Sequence, residues 1–187
     1  DEKDWIGESQ KIIENIELKN FIITEKQPLK EEKRIHIQLH PGLAFGTGTH
    51  ASTQGCLEGI SLIPSPVKRA LDMGCGSGIL SIAAAKFFSC QVAAVDNDPF
   101  AIESTKKNAL KNNVQDNVFA TLGEGYNILS SAEVFDLILC NIFARPLCEM
   151  APLLKSHLNK NGFAVLSGFL KNQAEEVIKR NKDRPQS

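Results

Sequence analysis

A doubly wound α/β domain with a mostly parallel, Rossmann-like sheet is the fold this sequence predicts, and three observations predict it. From Arg69 onward, short apolar runs alternate with stretches of helical composition. The first run, Arg69 to Met73, ends in glycines at alternate positions, Gly74-Cys75-Gly76-Ser77-Gly78. The second, Gln91 to Val95, is followed by an acidic residue, Asp96. Strand-helix alternation sets the strands parallel and covers both faces of the sheet with helices. A glycine turn after one strand and a carboxylate at the tip of the next point to an adenosine-bearing ligand at the carboxyl ends of the strands.

Trp5, Ile6, Ile12, Ile13 and Ile16 recur at near-helical spacing in a highly charged segment, which predicts an amphipathic helix over Asp4 to Ile16. Phe21-Ile22-Ile23 and Ile35 to Leu39 predict two short strands on either side of the polar, Pro-containing turn Gln27 to Arg34. Residues 1–38 thus read as a linker helix with short strands, and residues 39–187 as the ligand-binding domain. His40 to Thr53 hold three glycines and three threonines, poor material for helix or strand, and predict a loop. After the glycine turn, Ile79 to Phe88 has helical composition. Asp98-Pro99 opens a second helix, with Asp as cap and Pro at the first helical position, running to about Lys111. Val118 to Leu122, Phe135 to Cys140 and Phe163 to Ser167 predict three more strands, with helices from about Pro146 to Leu158 and from Asn172 to Arg180.

The 187 residues suit one domain, and 21 basic against 22 acidic side chains leave a net charge of -1. A near-neutral chain has no general field for polyanions, so neither direct nucleic-acid binding nor a membrane surface is expected. The longest apolar stretch, Ile79 to Phe88, falls far short of the roughly 20 residues that span a bilayer. Neither a basic n-region nor an apolar h-region opens the sequence, and it does not begin with Met. A cytoplasmic, processed or excised chain is the expectation. Cys56, Cys75, Cys90, Cys140 and Cys148 are widely spaced, with no C-x-x-C pair, which predicts reduced thiols without disulfides or a metal site.

The dinucleotide fingerprint would need glycine where Ile79 stands, and no Gly-Lys-Ser/Thr follows to make a P-loop. Asp96 lies 18 residues past Gly78, suited to accept from both hydroxyls of a ribose. The order Asp72-x-Gly74-x-Gly76-x-Gly78 resembles motif I of the class I S-adenosylmethionine-dependent methyltransferases, which implies Asp72 near the methionine end of that cofactor and Gly74 and Gly76 close against it. In the preceding loop, Phe45 is a candidate to pack on the ligand and Thr53 to donate a hydrogen bond, and His50 reads as a structural residue of the same loop. Asn141 ends the fourth candidate strand. Methyl transfer to nitrogen needs a positioned neutral amine and no metal, and an Asn oxygen can orient the amine by accepting its N–H. Asn141 reads equally as a strand-end cap, and Glu124 either as an adenine contact or as a turn residue.

The runs PGLAFGTGTH, LDMGCGSGILSIAAAK, VDNDPFAI, CNIFARPLCEMAPLL and LSGFLKNQAEEV resemble the ribosomal protein L11 methyltransferases, the PrmA family, over roughly Leu39 to Val177. Trp5 and the segment after it resemble that family's interdomain linker. The resemblance implies a protein N-methyltransferase acting on lysine ε-amines and the N-terminal α-amine of a large-subunit ribosomal protein. Its cofactor contacts map onto Thr53, Gly74, Asp96 and Asn141. It also implies an N-terminal recognition domain and a closing β-hairpin, neither of which this sequence includes, and the family pattern differs at His40, Ala51 and Ser52. Two alternatives remain at this level: a methyltransferase acting on nucleic-acid exocyclic amines, and a cofactor-binding remnant without turnover.

Overall fold

A computed structural model of the chain describes residues 15–25, 33–40, 50–64 and 66–182. Two sheets share its core. Strands β1 (Ile16–Glu17), β2 (Phe21–Thr24) and β3 (Ile35–Gln38) form the smaller one, with β1 antiparallel to β2 and β2 parallel to β3. The larger sheet holds β4 (Arg69–Met73), β5 (Gln91–Asp96), β6 (Val118–Leu122), β7 (Phe135–Asn141) and β8 (Leu158–Ser167) in the order β6-β5-β4-β7-β8. Every neighbouring pair in it is parallel, so all five carboxyl ends point the same way. Strand order reverses direction about β4, which opens a crevice beyond the carboxyl ends of β4 and β7.

Alternation along β4 splits the core. Leu71 and Met73 join Ile138, Cys140, Leu147 and Leu154 on one face, whereas Ala70 joins Leu57, Ile82 and Leu137 on the other. The first face is covered by α4 (Ala144–His157) and α5 (Ala174–Lys182), the second by α1 (Ala51–Leu62), α2 (Ile79–Phe88) and α3 (Pro99–Lys111). Helix α2 lies between the two sheets, which explains its composition: Ile79 through Ala85 are all buried, leaving no face for water. Phe21, Ile23, Ile37 and Leu39 of the smaller sheet belong to the same apolar cluster as Ile82, and the Phe21 ring sits 5.8 Å from that of Phe87.

Most predicted elements stand within a few residues of their observed limits, and three depart. The helix expected over Asp4 to Ile16 falls outside the described residues except at its end, where Ile16 is already strand. The loop expected through Thr53 stops sooner, because Ala51 begins α1. Gly55 and Gly59 each weaken a helix by about 1 kcal/mol relative to alanine, which hid α1 from a propensity reading. Packing supplies the reason for Gly59: a Cβ there would come within 2.9 Å of Val165 Cγ1 on β8. β8 begins at Leu158, ahead of the predicted Phe163, because an irregularity in its pairing with β7 absorbs the polar residues between. α4 starts two residues before Pro146, and α5 starts at Ala174 after a short 3-10 turn over Lys171–Gln173.

Helix α3 opens as predicted: Asp98 accepts from the Phe100 amide at 2.9 Å, and Pro99 holds the first helical position. Its buried face then carries polar side chains that serve the main chain. Asn108 Nδ2 donates to Ser77 O at 2.8 Å while its Oδ1 accepts from the His40 amide at 2.8 Å. One turn on, Asn112 Oδ1 accepts from the Gln38 amide at 2.8 Å and Nδ2 donates back to Gln38 O at 2.6 Å. Replacing Asn108 by Ala should remove its hydrogen bonds to Ser77 O and from the His40 amide and lower unfolding free energy by about 1–3 kcal/mol, read from urea denaturation.

Candidate functional site

The glycine turn is built by β4 and tied to its surroundings by hydrogen bonds. Gly74 N and Cys75 N both donate to Val95 O, at 2.8 and 3.1 Å, so the chain turns sharply against the end of β5. Gly74 adopts φ 77°, where a Cβ would lie 2.5 Å from Ile142 Cγ2, so only glycine lets the turn and the β7 exit approach this closely. Thr105 Oγ1 donates to Gly76 O at 3.1 Å, fixing the turn to α3.

Asp96 ends β5 beside this turn, half-buried. Its Oδ2 accepts from the Gly76 amide at 2.9 Å and its Oδ1 from the Asp98 amide at 3.0 Å. Each carboxylate oxygen has a second acceptor direction, so the two amides orient the group without exhausting it. Thr53 and Asn141, from distant segments, meet here: Asn141 Nδ2 donates to Thr53 Oγ1 at 3.1 Å. Thr53 sits fully buried in the first turn of α1, where its amide donates to His50 O at 3.0 Å. Gly74, Gly76, Asp96, Asn141 and Thr53 therefore gather at the carboxyl ends of β4, β5 and β7. Phe45 lies outside the described residues.

A cavity of about 760 Å³ opens at this end, bounded by Gly74, Asp96, Glu124, Tyr126, Ile142 and residues of α4. Glu124 lines it and is exposed. Three lining residues that the motifs did not reveal are Phe143, Glu149 and Met150. The only sequence signal for Phe143 was its place two residues after Asn141.

Asp72 is buried and receives the Ser81 hydroxyl on Oδ2 at 2.6 Å, while its Oδ1 has no hydrogen-bond partner among the described residues. Burial pushes its carboxyl up from 3.8 to about 6, partly opposed by the Ser81 hydrogen bonds. The thiols of Cys56 and Cys90 are pushed up by burial to about 12 and about 11, and that of Cys140 higher still, so these cysteines stay protonated and behave as small apolar residues. All five cysteines are free. Among the described residues, no group of three or more His, Cys, Asp or Glu is placed to hold a metal ion, and no helix is long and apolar enough to cross a membrane.

Folding favours the protonated form of Asp72, because its folded value lies above the unfolded 3.8. The stability this confers is complete below about pH 4 and is lost as pH rises through about 6. Asp72→Asn should remove that decline, flattening the pH 4–7 stability profile by on the order of 2–3 kcal/mol relative to the native chain in denaturant titrations.

A parallel sheet with this glycine turn, an oriented carboxylate after the second strand and an Asn after the fourth defines the class: a Rossmann-like domain of the S-adenosylmethionine-dependent methyltransferase fold. A methyltransferase of that type from Geobacter sulfurreducens, solved with S-adenosyl-L-homocysteine, shares the fold with a TM-score of 0.52 at 22% identity, over 59% of this chain and 46% of that one. Within this class, the family described as Ribosomal protein L11 methyltransferase (PrmA) matches residues 1–185, and the chain belongs to that family. Ribosomal protein L11 methyltransferase of Shewanella denitrificans is 37% identical over 179 residues, 95% of this chain and 60% of that protein. The crystal structure of a ribosomal protein L11 methylase from Lactobacillus delbrueckii subsp. bulgaricus matches with a TM-score of 0.78 at 31% identity, over 89% of this chain and 88% of that one. The chain thus spans less than two thirds of the length of the curated relative.

Proposed function

We propose that this chain is the catalytic portion of an S-adenosylmethionine-dependent protein N-methyltransferase, with ribosomal protein L11 as substrate and its lysine ε-amines and N-terminal α-amine as acceptors. The reading puts the reaction in the cytoplasm. The observation that carries it is the meeting of Asn141 with Thr53 at 3.1 Å, beside the glycine turn and Asp96. Membership of the ribosomal protein L11 methyltransferase family and the names of its relatives support the choice of substrate.

Gly74 and Gly76 would admit the cofactor's backbone-hugging portion, and Asp96, already aimed by two amides, would accept from ribose hydroxyls. When bound, S-adenosylmethionine supplies an electrophilic methyl group on sulfur. Asn141 spends its Nδ2 on Thr53, leaving Oδ1 as the acceptor for an amine N–H. Such a bond would orient a neutral amine for in-line displacement. The apolar walls from Ile142, Pro146 and Met150 keep bulk water from the reacting nitrogen.

Calorimetric titration should show saturable S-adenosylmethionine binding by the native chain, and mass spectrometry should show methyl groups added to purified L11. Asp96→Ala should weaken cofactor affinity roughly 10- to 100-fold, the loss of a charged acceptor. Asn141→Ala should slow methyl transfer more than it weakens cofactor binding. A native chain that binds no S-adenosylmethionine, or methylates RNA in place of protein, would overturn the proposal.

A further inference from the structure

We propose that Phe143 is an acceptor-specificity residue, its ring face holding the alkylated, positively charged amine of the acceptor at the mouth of the cavity. This rests on the N-methyltransferase reading above. Phe143 is 78% exposed, although Cys140 and Leu147 on either side of it are buried. The exposure does not come from a loose backbone. Phe143 caps α4 in an extended conformation, φ -60° and ψ 154°, and its carbonyl accepts from the Leu147 amide at 3.3 Å. The preceding amide, Ile142 N, donates to Ser167 O at 3.1 Å. A large aromatic ring is thus presented to solvent from a fixed junction, two residues beyond Asn141.

The surroundings select the chemistry of what it meets. Phe143 lines the cavity with Pro146, Met150 and Leu153, and Glu124 and Glu149 add carboxylates to the same lining, Glu149 Oε1 also accepting from Arg145 Nε at 2.8 Å. Among the described residues no Lys or Arg lines it, and the Arg145 guanidinium that pairs with Glu149 is not part of the lining. Apolar side chains, an aromatic ring and carboxylates in one lining suit an alkylammonium: carbon against the apolar side chains, charge against the ring quadrupole and the carboxylates. An anionic acceptor would meet like charge, and a neutral apolar one would gain nothing from the carboxylates. Each methyl added to an amine leaves a cation that is bulkier and less hydrated, so the ring holds methylated intermediates better than the unmodified amine.

The test is binding, read apart from turnover. With S-adenosylhomocysteine present, the chain is titrated with N-acetyl-trimethyllysine methylamide and with its uncharged tert-butyl isostere, followed by NMR of labelled phenylalanine. The native chain should prefer the cation by about five-fold or more, Phe143→Tyr should keep that preference, and Phe143→Leu should bring it near unity. Equal affinity for the two probes, no binding of the cation, or an undiminished preference in Phe143→Leu would overturn the proposal. So would a proportionate loss of S-adenosylmethionine affinity in Phe143→Leu, which would assign the ring to the cofactor. Methyl transfer to L11 by the native chain is measured alongside: its absence would sink the functional reading, while the probe preference is judged on its own.

Discussion

Asn108 gives both polar ends of its side chain to the main chain, one to the glycine turn at Ser77 and one to His40 just beyond β3. A buried amide left half-paired costs free energy that apolar packing does not return. Helix α3 therefore has one position relative to the turn and to the smaller sheet in which its buried polar groups are satisfied. Asn112 repeats the arrangement one turn along, and Thr105 adds a third tie at Gly76. The Gly76 amide donates to Asp96, so the orientation of the ligand-facing carboxylate follows from how α3 docks.

Asp72 and Asp96 stand at the same end of adjacent strands, and their surroundings divide their roles. Asp72 points into the layer of α1 and α2, where burial raises its proton affinity and hydrogen bonds from Ser81 serve it. Asp96 stands at the tip, half in water, and accepts from two amides. One carboxylate is a burden the core carries at neutral pH; the other is free to meet a ligand. The cavity brings both kinds of group together, its lining holding carboxylates as well as Phe143, Pro146 and Leu153.

The parallel sheet was legible because glycine turns, an Asp-Pro helix start and short apolar runs are local signals with local causes. Asp96 and Asn141 were legible for a related reason: strand ends follow from strand positions, and a parallel sheet brings those ends together. The contact between Asn141 and Thr53 was not, because it joins residues far apart in the chain and depends on α1, whose two glycines argue against a helix. Nor was the role of the smaller sheet. Its strands read as linker from their charged flanks, whereas Phe21, Ile23, Ile37 and Leu39 pack into the main core through α2. One clue was present: Thr105, Asn108 and Asn112 recur on the same helical face as Ala101, Ile102 and Ala109, and polar residues at core spacing signal main-chain partners.

Helix α2 sets a thickness. Enclosed by a sheet on each side, it can be no wider than its side chains allow, and Ala83, Ala84 and Ala85 keep it narrow. At its far end Lys86 reaches out to donate to His36 O at 2.7 Å, so the smaller sheet is also pinned in the lengthwise direction. A bulkier residue at one of these alanines would act as a shim. It would push β3 away from the parallel sheet, and β3 holds Gln38, the residue that Asn112 clasps. The strain would thus reach the C-terminal end of α3 as well as the core, which makes three small methyl groups a spacing gauge between the two sheets.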